Sequence, residues 1–178
     1  MNVRTLCLGI LSTREASGYE IKKDIEEGQF SHFIDASFGS IYPALTQLAG
    51  EGLVTVRAEE QSGKPDKKVY AITPKGHEAL SRAISVVPAH DKYKSEFLFQ
   101  MLLQQYITPG TIRAAIDKQI SDLEGDLARI GQCRGTGQPH EGARFVADYA
   151  EAVLSAALAV VKEKKAELLR NATPQAAE

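Results

Sequence analysis

The feature that most constrains the fold is a change of hydrophobic spacing near residue 53. Before this point, apolar residues recur every three to four positions, which is typical of amphipathic helices. After it, the runs 53–56 and 69–72 alternate as strands do, and the polar stretch 62–66 between them has the composition of a turn. The sequence therefore predicts helices followed by a β-hairpin.

The first two helices are placed by spacing and by a capping signal. Apolar residues predict one helix over about residues 2–11. Ser17 and Glu20 have the three-residue spacing of a capping box and predict the start of a second helix over 18–27. We expect Tyr19 to lie on the apolar face of this second helix and to pack between helices.

Proline and threonine indicate where two further helices begin. Proline is tolerated only near a helix start, so Pro43 favours Ser40 over Ser37 as the cap of a third helix over 40–50. Thr73, followed by proline at the first helical position, predicts a fourth helix after the hairpin.

Beyond Pro88 the sequence is helical in pattern. Apolar residues occupy most sides of segment 91–106, which predicts a buried helix. A heptad-like seam over 116–130 predicts the next helix, residues 131–139 have the composition of a flexible linker, and a last helix is expected over 140–171.

These elements predict a mainly α fold with a small β-hairpin. We expect a winged helix-turn-helix domain over residues 1–85, a C-terminal α-helical dimerisation domain over 90–171, and a tail over 172–178. The last helix would be about 45 Å long, which favours cover by a second copy over an intramolecular bundle. Its apolar stripes supply the expected dimerisation residues, namely Val146, Tyr149, Val153, Leu154, Leu158 and Val161.

The winged arrangement makes helix 40–50 the candidate recognition helix and residues 62–68 the wing. A helix N-terminus offers free N–H groups to phosphate, the next turn can reach base edges, and clustered lysines can contact the DNA backbone. The candidate DNA-binding residues are Ser37, Ser40, Tyr42, Thr46, Gln47, Lys64, Lys67 and Lys68. The alternatives are a solvated turn for the lysines and a core position for Tyr42.

Composition excludes several other classes of protein. The net charge is −2, with 10 bases and 11 acids in residues 1–85, so DNA binding must depend on local patches. Two cysteines without C-x-x-C spacing argue against a disulfide framework and a zinc ribbon and fit the cytoplasm. We find no nucleophile–base pattern, phosphate loop, metal-ligand spacing or membrane-length apolar run, so we expect no enzyme, cofactor, metal or membrane.

The N-terminal motifs resemble the PadR family of bacterial transcriptional regulators. The resemblance covers about residues 5–85 and is carried by GYEI at 18–21, FGSIYPAL at 38–45, Leu48, GLV at 52–54, GKPDKKVYAIT at 63–73 and Gly76. Residues 91–170 look like the helical C-terminal domain of the AphA-like subfamily. The resemblance implies a dimeric DNA-binding repressor, less often an activator.

The first hypothesis is thus a cytoplasmic homodimer that binds a pseudo-palindromic, double-stranded DNA operator, with a small-molecule effector of unknown identity as a further partner. The second is a winged-helix protein-interaction module that does not bind DNA, because residues 1–85 are nearly neutral. The third is a small-molecule carrier that uses the helical half. Salt-dependent DNA binding would distinguish the first from the others.

Overall fold

The computed structural model describes residues 2–26, 38–61, 64–91, 93–134 and 140–170. The chain divides into two compact units, Met1–His90 and Asp91–Glu178. The architecture is mainly α with one small antiparallel sheet, which confirms the predicted fold class. Within the described ranges, no helix is long and apolar enough to cross a membrane.

The N-terminal unit contains four helices and a three-stranded sheet. Its elements, in chain order, are α1 (Val3–Leu11), β1 (Ala16–Ser17), α2 (Gly18–Glu26), α3 (Phe38–Gly50), β2 (Val54–Gln61), β3 (Lys64–Ile72) and α4 (Pro74–Ile84). The sheet order is β1-β3-β2, and both pairings are antiparallel. The hairpin of β2 and β3 was predicted, whereas the two-residue strand β1 was not.

The register between β2 and β3 determines which of their residues lie opposite each other. Val54 pairs with Ile72 and Glu59 with Lys67, and the ladder is irregular between Glu59 and Gln61. Because β3 already begins at Lys64, the predicted turn over 62–66 is too long. Residues 62 and 63 lie outside the described ranges.

One continuous core holds the N-terminal unit together. It contains apolar side chains from all four helices and all three strands, with those of Ile10, Ile21, Ile41, Leu45 and Leu48 fully buried. Burying side chains of this size is the main favourable contribution to folding. The core therefore holds the outer faces of α3 and the hairpin in fixed positions.

Three side-chain caps start the helices of this unit where the sequence indicates. Asn2 Oδ1 accepts from the Thr5 N–H at 2.9 Å, and Thr73 Oγ1 accepts from the Gly76 N–H at 3.0 Å. In the capping box, the Ser17 N–H donates to Glu20 Oε2 at 2.7 Å, and Ser17 Oγ accepts from the Glu20 N–H at 3.3 Å. The predicted capping box and Thr73 cap are confirmed.

The start of α3 differs from the prediction. The helix begins at Phe38, so Ser40 lies inside its first turn and is not the cap. Pro43 is consequently deeper in the helix than expected, and its missing N–H removes one bond to the first turn. Buried Ile41, Leu45 and Leu48 hold this segment as helix, because core packing outweighs one lost hydrogen bond. Ser37 lies outside the described residues.

The end of α3 requires glycine. Gly52 has φ = 70°, and the N–H groups of Gly52 and Leu53 donate to the carbonyls of Ala49 and Leu48 at 3.0 and 2.9 Å. This is a Schellman motif, in which the left-handed residue is nearly always glycine. The motif turns the chain from α3 directly into β2.

In its described residues, the C-terminal unit consists of helices and one 3₁₀ turn. Its elements are α5 (Glu96–Leu102), a 3₁₀ turn (Gln104–Tyr106), α6 (Pro109–Arg134) and α7 (Glu141–Arg170). The last helix has the predicted extent, but α6 continues through Arg134, so the expected linker over 131–139 begins too early. Residues 135–139 lie outside the described ranges.

The segment expected to form a buried helix over 91–106 does not do so. Its helix spans only Glu96–Leu102, and Leu98, Phe99, Leu102 and Tyr106 are all at least half exposed. A short helix can pack only one of its sides against α6, so the apolar side chains on its other sides are exposed.

Helices α6 and α7 form an antiparallel pair. Asp117 contacts Lys165 and Glu124 contacts Lys162, each at 2.6 Å, so later residues of α6 face earlier residues of α7. Among the described residues, Ile112 and Ile116 are fully buried at their core, and α5 and α7 supply partly buried neighbours. The described part of this unit thus has a much smaller core than the N-terminal unit.

Candidate nucleic-acid interface

Helix α3 has one buried face and one exposed face. Ile41, Leu45 and Leu48 point into the core, whereas Tyr42, Pro43, Thr46, Gln47 and Gly50 are exposed. Residues one turn apart on a helix are neighbours, so Tyr42, Thr46 and Gln47 form one continuous surface. The structure therefore brings together three of the predicted DNA-binding residues.

Tyr42 is both a packing residue and a surface residue. Its side chain is 43% exposed, and its ring lies so close to Gly18 that a Cβ there would come within 2.6 Å of Tyr42 Cε1. Burial, and secondly the neighbouring Tyr42, raise the pKa of Tyr70. Neither a pure core position nor a free surface position describes Tyr42, because the ring also joins α3 to α2.

The two polar side chains on this face differ in freedom. Thr46 Oγ1 donates to the Tyr42 carbonyl at 3.0 Å, so its hydrogen is already used within the helix. Gln47 is exposed and carries an amide with both donors and acceptors. Gln47 is therefore better suited than Thr46 to contact a base edge.

The serines at the start of α3 are placed unequally. Ser40 is partly buried in the first turn. Its N–H lies in the first turn of α3, at the end of the helix where the dipole is positive. Ser37 is outside the described residues, so its predicted contact with DNA stays a prediction.

The three predicted wing lysines also differ. Lys68 is exposed, and the side chain of Lys64 lies outside the described part of the chain, although its backbone starts β3. Lys67 is partly buried, and its Nζ lies 3.1 Å from Glu20 Oε1. The structure thus places one of the three ammonium groups on a carboxylate of the same chain.

Glu20 is held in its ionised form by several groups. The N–H of Ser17, then its hydroxyl, and then Lys67 lower the pKa of Glu20 to about 2. Ser17 N and Oγ each lie 2.7 Å from Glu20 Oε2. The carboxylate therefore stays charged at every physiological pH.

A second group of charged residues surrounds Arg57, in the middle of β2. Arg57 donates to Glu15 and to Glu59, with 2.9 Å between Arg57 Nη2 and Glu59 Oε1. The hydrogen bonds that Arg57 donates to Glu59, and secondly to Glu15, raise the pKa of Arg57. Residues 1–85 carry nearly equal numbers of acids and bases, and on this sheet some of them form ion pairs.

Sequence analysis did not identify Tyr19 as an exposed residue or Glu20 as the ion-pair partner of Lys67. Tyr19 is 67% exposed, so the prediction that it packs between helices is wrong. Ile21 and Ile25 are buried, and a residue two positions before Ile21 lies on the opposite side of a helix. That spacing could have identified Tyr19, whereas the Glu20–Lys67 contact spans 47 positions and has no local signal.

The predicted dimerisation residues fall into two groups. Val146, Tyr149 and Val153 are exposed, and we call them the outer stripe of α7. Leu154, Leu158 and Val161 are partly buried, and Val161 packs against the Ile112–Ile116 core. Within the described part of the chain, the side chains of the outer stripe stay 45–60% exposed.

No metal centre is found among the described residues, since no three His, Cys, Asp or Glu side chains lie close enough to hold an ion. Cys7 is fully buried in the N-terminal core, and burial raises the pKa of its thiol to about 12. Cys7 is therefore an inert packing residue.

Comparisons with known proteins agree with this geometry. Residues 7–82 match the Transcriptional regulator PadR-like family. The Negative transcriptional regulator PadR of Bacillus subtilis (strain 168) is 32% identical over 130 residues, which cover 72% of this chain and 69% of that protein. A PadR-like transcriptional regulator of Bacillus cereus has a crystal structure with a TM-score of 0.77 and 33% identity, covering 93% of this chain and 94% of that one.

The fold is also shared with Bacillus subtilis PadR in complex with operator DNA. The TM-score is 0.68 at 23% identity, and the match covers 93% of this chain and 98% of that chain. The same regulator has been solved with p-coumaric acid. Taken with the N-terminal match and the identity to a curated regulator, these likenesses show that the chain belongs to the PadR-like family of transcriptional regulators.

Proposed function

We propose that this regulator is a repressor that binds a pseudo-palindromic operator as a homodimer, through α3 and the wing over 62–68. The observation that carries this proposal is the exposed face of α3, where Tyr42, Thr46 and Gln47 stand on a helix whose other face is locked into the core. A recognition helix needs this combination of a fixed backbone and an accessible polar face.

The contacts we assign follow from exposure. Gln47 contacts base edges, with Thr46 beside it as an acceptor and Tyr42 at the rim of the DNA backbone. Ser37, Ser40 and the first turn of α3 face phosphate, as do Lys64 and Lys68 on the wing. Lys67 contacts phosphate only when its ion pair with Glu20 opens.

Dimerisation is assigned to residues 90–171 and DNA binding to residues 1–85. The outer stripe supports this division, because exposed apolar residues on one helix face are typical of a protein–protein contact. Leu154, Leu158 and Val161 continue the apolar surface beside it. A two-fold axis would then present two α3 helices to half-sites about one DNA turn apart, ~34–36 Å.

A small-molecule effector and a cytoplasmic location complete the proposal. The C-terminal unit has a half-open depression of about 340 Å³ between α5 and α6, lined mostly by polar side chains that include Gln100, Lys118 and Gln119. Such a volume fits a small ligand. The operator, and with it the regulator, lies in the cytoplasm of a bacterial cell.

Binding to DNA from upstream of the regulator's own gene tests the proposal. Fluorescence anisotropy at ~50 and ~200 mM salt should give a steep loss of affinity, as phosphate contacts require. Gln47→Ala should cost about 1–3 kcal/mol on the operator and little on random duplex. The matched control is Gln132→Ala, an exposed glutamine near the end of α6 in the C-terminal unit, which should leave DNA binding unchanged.

Two results would contradict the proposal. If no duplex binds at low salt, the chain acts through protein contacts alone. If Gln47→Ala weakens operator and random DNA equally, α3 does not read sequence.

A further inference from the structure

The register of the sheet brings the start of α2 beside the wing. Ser17 pairs with Val69, and Lys67 lies two residues further along the same face of β3. Glu20, one turn into α2, reaches Lys67 at 3.1 Å between Oε1 and Nζ. The contact is therefore built into the fold by the β1–β3 pairing.

The Glu20 carboxylate uses both of its oxygens. Oε2 accepts from the N–H and hydroxyl of Ser17, and Oε1 accepts from Lys67. The Ser17 contacts anchor the carboxylate to the helix start whether or not Lys67 is present. Lys67, by contrast, has a flexible stem and a partly exposed ammonium group, with 31% of its side chain accessible. Another anion can therefore reach Lys67 while Glu20 stays in place.

The same face of the hairpin repeats this arrangement. Arg57 pairs with Val69 across the ladder and is held by Glu15 and Glu59. Lys67 and Arg57 thus share one face with three carboxylates, those of Glu15, Glu20 and Glu59. Lys68 points to the opposite face because successive strand residues alternate. The two cations at this face of the wing are already neutralised within the chain.

We propose that Glu20 is an internal counterion that competes with DNA phosphate for Lys67 and so weakens binding to DNA of every sequence. The proposal rests on the proposed function, since it requires that the wing approaches DNA. A phosphate contact by Lys67 must first open the ion pair, and it then leaves the Glu20 carboxylate close to the DNA backbone. Neither effect depends on the bases, so operator and random duplex are affected alike.

The decisive variant is Glu20→Gln. Glutamine keeps the capping-box hydrogen bond and removes the charge. Lys67 then becomes available for one phosphate in each protomer, which steepens the plot of log affinity against log salt by about 0.9 per protomer and about 1.8 for a dimer on two half-sites. Over ~50 to ~200 mM salt, the variant dimer should lose about 12-fold more affinity than wild type. The probe is a fluorescein-labelled random-sequence duplex of about 30 base pairs, long enough for two half-sites.

Lys67→Met completes a double-mutant cycle, because methionine keeps the apolar stem. Alone, it should change the wild-type slope by much less than 0.9, as Lys67 is held by Glu20. Combined with Glu20→Gln, it should return the slope to the wild-type value. The matched control is Glu124→Gln, which removes a carboxylate from the ion pair with Lys162 in the C-terminal unit and should not change the slope.

The outcomes separate this inference from the proposed function. A steeper slope with Glu20→Gln that Lys67→Met reverses supports the counterion. If wild type binds but Glu20→Gln has an unchanged or shallower slope, the counterion is overturned and the proposed function stands. If Glu20→Gln does not fold, a full loss of ~0.9 in slope per protomer from Lys67→Met alone overturns it. If wild type binds no DNA, both proposals fail.

Discussion

The two units of this regulator bury their apolar residues in opposite ways. The N-terminal unit completes its core within one chain, with Ile10, Ile21 and Leu45 fully buried among four helices and a sheet. The C-terminal unit centres on Ile112 and Ile116, while the outer stripe of α7 and most apolar residues of α5 are exposed. The N-terminal unit therefore buries its apolar core within one chain, whereas the C-terminal unit leaves an apolar surface exposed. This difference supports the proposed dimer.

The strongest test of this contrast is to separate the units. A fragment of residues 1–90 should fold cooperatively as a monomer, because its core is self-contained. Its operator affinity should fall by about 10²–10⁴, since the second half-site is no longer tethered. Light scattering and anisotropy measure both properties. A fragment that still dimerises, or a monomeric full chain, would contradict the division of labour.

The close packing of Gly76 against the backbone of Leu53 in the N-terminal unit can be tested by substitution. A Cβ there would lie 2.1 Å from the Leu53 carbonyl oxygen, which is backbone and cannot move aside. Gly76→Ala should therefore destabilise this unit by about 3 kcal/mol in urea unfolding. The control is Gly9→Ala in α1, where a Cβ meets no atom within 4 Å and alanine should stabilise by about 0.5–1 kcal/mol. Equal effects would show that the close approach does not matter.

The incompleteness of the C-terminal unit can be tested on the outer stripe. Val153 is 45% exposed, so Val153→Glu should leave a single chain folded. In a dimer the new charge would be buried, which should raise the dimer Kd by about 10- to 100-fold. Ser155→Glu, also exposed on α7, is the control and should have little effect. Sedimentation equilibrium compares them, and an unchanged Kd for Val153→Glu would remove the stripe from the interface.

The smallest expected effect is a pH dependence of the stability of the N-terminal unit. The pKa of Glu20 is lowered from 4.5 to about 2, so its charge stabilises the fold above pH 4.5 and this stabilisation is lost as pH falls towards 2. Because the pair is partly exposed, the effect should stay under about 1 kcal/mol. The stability difference between wild type and Glu20→Gln should shrink between pH 5 and about pH 2. A constant difference in urea unfolding would contradict this role.

The sequence predicted what is local and missed what is not. Ser17 contacts Glu20 and Thr73 contacts the Gly76 N–H, each three residues on, so local signals identified both caps. The strand β1 has two residues and exists only because Ala16 finds Tyr70, far along the chain. No periodicity can reveal a strand of that length.

The same distinction explains the errors at the candidate site. The start of α3 was placed at Ser40 because proline has a strong local preference, yet core packing extends the helix back to Phe38. Lys67 was predicted to contact phosphate because its neighbours in sequence are basic, which stays a prediction, but its ion pair within the chain was not foreseen. Its actual partner, Glu20, is brought to it by the sheet.

The Leu53 carbonyl has a mechanical consequence for regulation. It accepts from the N–H of Thr73 and from the Thr73 hydroxyl, both at 3.1 Å, and Gly76 packs directly upon it. The end of α3, the base of the hairpin and the first turn of α4 are thereby fastened at one atom. Bending one of them relative to the others would break several contacts at once, so we expect the N-terminal unit to move as one body. In the proposed dimer, an effector that releases DNA would then act by changing the distance or angle between the two copies of this unit.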